Sequence, residues 1–249
     1  MATNTAFAFI QIFLGFGIAW RPSLKPALAA SIAWSLGVWW FGEGLGGVLQ
    51  GNGTPIAGGP GAVLFYALLA IVLWPAERAG DAPPFAAARG TGIRAAKAVW
   101  AIVWIGLAYL SLIGSGRSPQ GVHALIDGNV AGEPDWLATI DRHAATFVSN
   151  HGLSVAIVVA VICLGVALGV FLPDPLPRSA IVLAVMTGAV IWVVGQNFGL
   201  LFPGSATDPN SGPLLILLAL AYWPRHWPLT TDSVVATKAT AISVPIGAA

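Results

Sequence analysis

Glu43 is the acidic side chain nearest to an apolar run in this chain, and 153 residues later the same place is held by Gln196, with Asn197 beside it. A carboxylate at the centre of a bilayer costs about 2.5 to 3.5 kcal/mol, so such a group faces protein or water. Facing protein, Glu43 would carry a proton or accept hydrogen bonds, while Gln196 and Asn197 supply neutral donors and acceptors in the matching place. One ionisable side and one neutral side suit a polar head group such as a quinone carbonyl. The simpler alternative is that Gly42-Glu43-Gly44 ends a helix where the carboxylate meets water.

Thr54, Thr207, Asp208 and Asn210 offer oxygen ligands in two glycine-rich loops. The same residue types bond their own backbone and define tight turns, and that account is sufficient for them. His123, His143 and His151, with Asp127 and Asp141, are the one group with metal-ligand chemistry. Their spacing is irregular, and no His-x-x-x-His sets two rings on one helical face. A solvated loop explains them, and Asp141-Arg142-His143 could instead meet a partner protein. Ser111 and Ser115 lack a neighbouring base, so no hydrolase triad emerges. The single cysteine, Cys163, excludes a disulfide framework and a cysteine-built zinc or iron–sulfur site within the chain. Neither glycine loop has the pattern of a phosphate cradle. The expectation is therefore no catalytic residue, no cofactor and no metal.

The elements that must position these residues are written twice. Trp39, Gly42, Gly46, Gly51, Thr54, Gly59, Pro60, Leu64, Trp74 and Pro75 return as Trp192, Gly195, Gly199, Gly204, Thr207, Gly212, Pro213, Leu217, Trp227 and Pro228, all at the offset of 153 without a gap. Chance would preserve apolar character but not spaced glycines and a Gly-Pro step, each of which answers a backbone demand.

Hydrophobic residues make up 57% of the chain and charged residues 8%, and the mean hydropathy is +0.81. Soluble domains carry about 25% charged residues. The composition predicts an all-α integral membrane protein, and no basic patch suits nucleic acid. Seven transmembrane helices are expected, over Thr5–Trp20, Ala27–Gly42, Gly61–Trp74, Ala98–Gly114, Leu153–Leu172, Ser179–Val194 and Pro213–Trp223. The last is short for a bilayer of about 30 Å unless residues 198–202 dip inward. A helix opening at Asp135 should lie on the outer face, and Trp100 and Trp104 form one helical stripe for packing or lipid.

Nine cations (Arg21, Lys25, Arg78, Arg89, Arg94, Lys97, Arg178, Arg225 and Lys238) fall in one set of loops, and Arg117 and Arg142 in the other. That bias predicts an external amino terminus and a cytoplasmic carboxyl terminus. Alanine and glycine richness with few lysines fits the plasma membrane of a GC-rich bacterium. The expected organisation is a first three-helix repeat over 1–75, a cytoplasmic linker over 76–97, the fourth helix and long external loop over 98–152, a second three-helix repeat over 153–229 and a mobile tail over 230–249. The parallel 3+1+3 order is shared with sugar transporters of the SWEET type, which makes rocking of the two repeats the alternative function.

A narrower resemblance lies in the second half. A helix, a long loop with Trp136-Leu137-Ala138, the glycine-bearing run Leu164-Gly165-Val166-Ala167-Leu168-Gly169 ending at prolines and Arg178, a further helix, a glycine loop and Pro213-Leu214-Leu215 resemble the DoxX-like superfamily. Residues 98–223 cover that whole pattern, and 14–74 resemble its last three helices again. The resemblance implies a four-helix membrane unit in the second half that partners redox enzymes. The chain departs from it by the extra three helices and by the lack of Cys-x-x-Cys. The resulting expectation is a non-catalytic accessory or structural subunit of a respiratory, redox or cell-envelope complex, with membrane lipids, other membrane subunits and quinone as its contacts.

Overall fold

In the computed structural model the described residues are 2–75, 83–204, 206 and 208–224. Thr207, Arg78, Arg225, Trp227, Lys238 and the expected tail lie outside them. All regular structure among the described residues is helical. Helices α1 (Ala2–Ala19) and α2 (Leu24–Phe41) meet at a bend of 108°. Pro22 interrupts the backbone ladder there, and Ser23 closes the corner by donating its hydroxyl to the Gly17 carbonyl at 2.8 Å. Next come α3 (Ala62–Val72), α4 (Ile93–Ile113), α5 (Gly121–Asp127), α6 (Asp135–Val148) and α7 (Gly152–Gly169). Helix α8 (Leu176–Val190) runs on into a wider π turn over Ile191–Gly195, and α9 is Ser211–Ala221.

Seven helices thus stand near the seven expected spans, but only three have the length and hydropathy of a span: Ile93–Ile113, Gly152–Gly169 and Leu176–Gly195. The bent α1–α2 pair makes a fourth if it counts as one span. Helices α3 and α9 have 11 residues each and reach about 16 Å, half of what a bilayer core requires. The bounds of both lie within two residues of the short apolar runs expected at 61–74 and 213–223, and each helix follows a glycine-rich loop. The structure is that of an all-helical protein compatible with a multi-pass membrane protein, with three to four spans by length and composition among the described residues where seven are expected from the sequence.

The two three-helix groups pack in the same order. Helix α2 lies on α3 and α8 on α9, while α3 and α9 meet across the groups and α4 packs along α7. Ala27 at the start of α2 touches Gly17, and Ala180, its counterpart at the offset of 153, touches Gly169. These close approaches need glycine, and small residues at helix crossings are how apolar helices associate when lipid offers no hydrophobic drive. One core runs through Phe65, Val72, Trp100, Trp104, Leu107, Val166, Leu214, Leu215 and Leu218. Trp100 and Trp104 are both 0% exposed, so their stripe packs inside the protein and does not face lipid. Trp100 also donates its indole N–H to the Val166 carbonyl at 2.9 Å, which fixes α4 on α7.

The candidate site at the loop end

The glycine loops fold the same way for a stretch and then part. Gly44, Leu45, Gly46 and Gly47 all have positive φ, between 54° and 69°, and so do Asn197, Phe198, Gly199 and Leu200, between 48° and 69°. Each is a left-handed turn of four residues. L side chains pay roughly 1 to 2 kcal/mol per residue in that conformation, whereas glycine does not. The first copy meets the demand with three glycines and the second with one. Beyond the turn the copies differ at the shared Gly-Pro step. Pro60 precedes α3, whereas Pro213 lies inside the first turn of α9, where its missing N–H is harmless.

Glu43 ends up at the amino terminus of α3. Its carboxylate packs against Gly61 and accepts a hydrogen bond from the Val63 backbone N–H. Burial pushes its pKa up to about 7; the Val63 bond opposes this and the charge of Asp208 adds to it. Trp39 braces the same loop by donating its indole N–H to the Pro60 carbonyl at 2.6 Å, so this tryptophan is a clip within the protein. Gln196 does the equivalent work for α9: its amide oxygen accepts from the Gly212 N–H at 3.0 Å and its amide nitrogen donates to the Ser211 hydroxyl. Asn210 caps the same helix by accepting from the Ser211 N–H at 2.8 Å. Asp208 in turn accepts from the Asn210 N–H at 2.6 Å.

Between the two loops is a cavity of about 380 Å³, lined among others by Glu43, Gly58, Gly61, Leu200, Asp208 and Asn210. Gly58, at φ 97°, lies so close to the Asn210, Gln196 and Ser211 side chains that a Cβ there would crowd all three. The first loop therefore rests directly on the second helix terminus. No Lys, Arg or His is among the described residues of the lining. Chemically the cavity offers a carboxyl group that holds a proton near neutrality, a second carboxylate and amide groups. It can bind a neutral or cationic polar group.

The expected site residues divide accordingly. Glu43 and Asp208 share the cavity, with Gln196 buried behind it. Asn197 is 0% exposed and faces away, donating its amide to the Asn129 carbonyl at 2.8 Å. Thr54 is buried against Ser111, Gly116 and Val122, outside the cavity. Thr207 is not among the described residues. The Nδ1 of each of the three expected histidines faces a backbone carbonyl: His123 that of Ala145 at 2.9 Å, His143 that of Thr139 and His151 that of Ser149, both at 2.6 Å. Among the described residues no three histidine, cysteine or acidic side chains converge as a metal site would need.

The sequence reading missed Glu133 as a partner for Asp141. Asp141 is 0% exposed on the inner face of α6, and the carboxyl group of Glu133, on the loop before that helix, lies beside it. Burial raises both carboxyl groups, and the nearby charge of Asp141 raises Glu133 further while Arg142 opposes that rise. The signal was present. Leu137, Ala138, Asp141 and Ala145 are spaced as one helical face, so Asp141 falls where only apolar residues belong.

No protein-family model, curated protein or solved structure matches this chain.

Proposed function

We propose that this protein is a non-catalytic accessory subunit of a larger membrane complex, of the respiratory, redox or cell-envelope kind, and that its loop-end cavity receives a polar head group of a lipid or quinone. The observation that carries the reading is where polar groups are and are not. Phe65, Leu214, Leu215, Leu218 and Ala219 are almost fully buried in the core that α3 and α9 share. Transport by rocking repeats calls for a polar path between the halves near mid-membrane, whereas Glu43, Gln196 and Asp208 are gathered at one end. The contact of Gly58 with the α9 terminus also ties the halves together.

A bacterial plasma membrane with the loop end outward is part of the same proposal. Arg21, Lys25, Arg89, Arg94, Lys97 and Arg178 belong to the end opposite the loops, and Arg117 and Arg142 to the loop end, which favours that orientation. The DoxX-like resemblance lends weight to redox partners in particular. The test is purification of the intact protein from its own membranes in mild detergent, with mass spectrometry of all co-eluting chains. The proposal expects a partner at fixed stoichiometry, carrying heme, flavin or copper if the complex is a redox one. A chain that elutes alone and moves a solute when reconstituted would overturn it.

A further inference from the structure

All four carboxyl oxygens of Glu133 and Asp141 are shielded from solvent, and none has a hydrogen-bond partner among the described residues, while the two carboxyl groups lie beside one another. Two ionised carboxylates in such contact repel one another without water to screen them, so the arrangement requires a proton between them. What the pair holds together is specific. Asp141 belongs to α6 and Glu133 to the loop that leads into it. That loop is fastened to the second left-handed turn by Asn197 donating to the Asn129 carbonyl, and by Asn129 donating to the Gly195 carbonyl at 3.2 Å. At the other end Trp136 of α6 packs edge-on against Phe198 and Phe202, with centroids 6.3 and 6.0 Å away. Leu200 and Gly199 of that turn are a wall of the cavity.

We propose that Glu133 and Asp141 form one proton-binding site, and that the proton they share is a latch seating α6 on the left-handed turn that walls the cavity. Glu133 O–H donates to the Asp141 carboxylate; when the proton leaves to solvent, two buried negative charges face each other and the latch opens. Other charged groups around the pair are Arg142, Asp135 and His143 on α6, and His123 and Asp127 on the packed α5. The segment Ile191–Leu200 brings none. With Glu133 raised to about 7, the folded pair holds its proton more tightly than the unfolded chain does. Stabilisation by the pair is therefore complete in acid and is lost as pH rises through neutrality.

Hydrogen exchange of the full-length protein in nanodiscs, at pH 5 and 8.5 and corrected for intrinsic rates, tests this. Peptides covering 129–148 and 191–204 should lose about tenfold in protection at the higher pH, while 93–113 does not change. Glu133→Gln supplies a permanent amide donor to Asp141 and should keep protection at both pH values; Asp141→Asn should do likewise. An unchanged wild type would overturn the proposal, as would the same loss in Glu133→Gln. Loss abolished by His123→Gln but not by Glu133→Gln would assign the effect to the histidine. Restoration at pH 8.5 by excess calcium or magnesium would make the site one for a cation instead of a proton.

Discussion

The two left-handed turns share one backbone and are kept in it by different means. The turn Gly44–Gly47 is largely glycine, stands beside Glu43 and helps wall the cavity. Asn197–Leu200 has a single glycine and is held by what covers it: the Asn129 carbonyl, the rings of Trp136, Trp192 and Phe202 around Phe198, and the body of α6. A duplicated segment can thus keep its chain path while exchanging intrinsic backbone freedom in one copy for tertiary contacts in the other.

The sharpest way to break that comparison is at its shared glycine. A Cβ on Gly46 would overlap the Pro60 carbonyl, whereas one on Gly199 would sit 3.2 Å from the Asp208 and Pro209 carbonyls. Gly46→Ala should cost at least about 3 kcal/mol, enough to prevent recovery of folded protein, and Gly199→Ala about 1 to 2 kcal/mol, both read from thermal unfolding in detergent. Equal effects would mean that the turns are not held differently. Phe198→Ala should come next, at about 2 to 3 kcal/mol, because it removes the hub of an aromatic cluster. Leu45→Ala at the matching position should stay within about 1 kcal/mol.

Glu43→Gln sharpens the electrostatic side of the contrast. A carboxyl group with a raised folded pKa stabilises below its unfolded value of about 4.5 and loses that contribution as pH rises to and beyond 7. The wild type should therefore weaken between pH 5 and 8.5 by about 1 kcal/mol, after allowance for screening of a half-buried group. Glu43→Gln should be flatter over the same range. An identical slope in the variant would show that Glu43 keeps an ordinary carboxylate pKa. Asn129→Ala should cost about 1 kcal/mol from lost hydrogen bonds, seen as faster exchange in 191–204 with 44–61 unchanged.

How much of this was legible beforehand depended on what each residue answers to. The repeat was readable because glycines at left-handed positions respond to a local demand, and Glu43 and Asp208 stood out as acids in apolar or glycine-rich surroundings. Gln196 was readable as the mate of Glu43, but its work at the α9 terminus was not, since capping from 16 residues away is a tertiary contact. The short α3 and α9 were legible as the short apolar runs 61–74 and 213–223, whereas a cap reaching in from a distant turn was not. Glu133 was hidden for a related reason: nothing local pairs it with a residue on the next helix.

At the end opposite the loops, Tyr222 donates its hydroxyl to the Ala96 carbonyl at 2.6 Å, lies beside Trp100 and stacks on Phe85, while the Ala87 N–H reaches the Ala221 carbonyl at 2.8 Å. The start of α4 and the segment leading into it are thus completed by residues that leave the ribosome more than 120 positions later. During synthesis the gap around Trp100 stays open until α9 is made. Helix α9 is a keystone in time as well as in space, and a chain truncated before Tyr222 should lose the foot of α4 and not merely its own end.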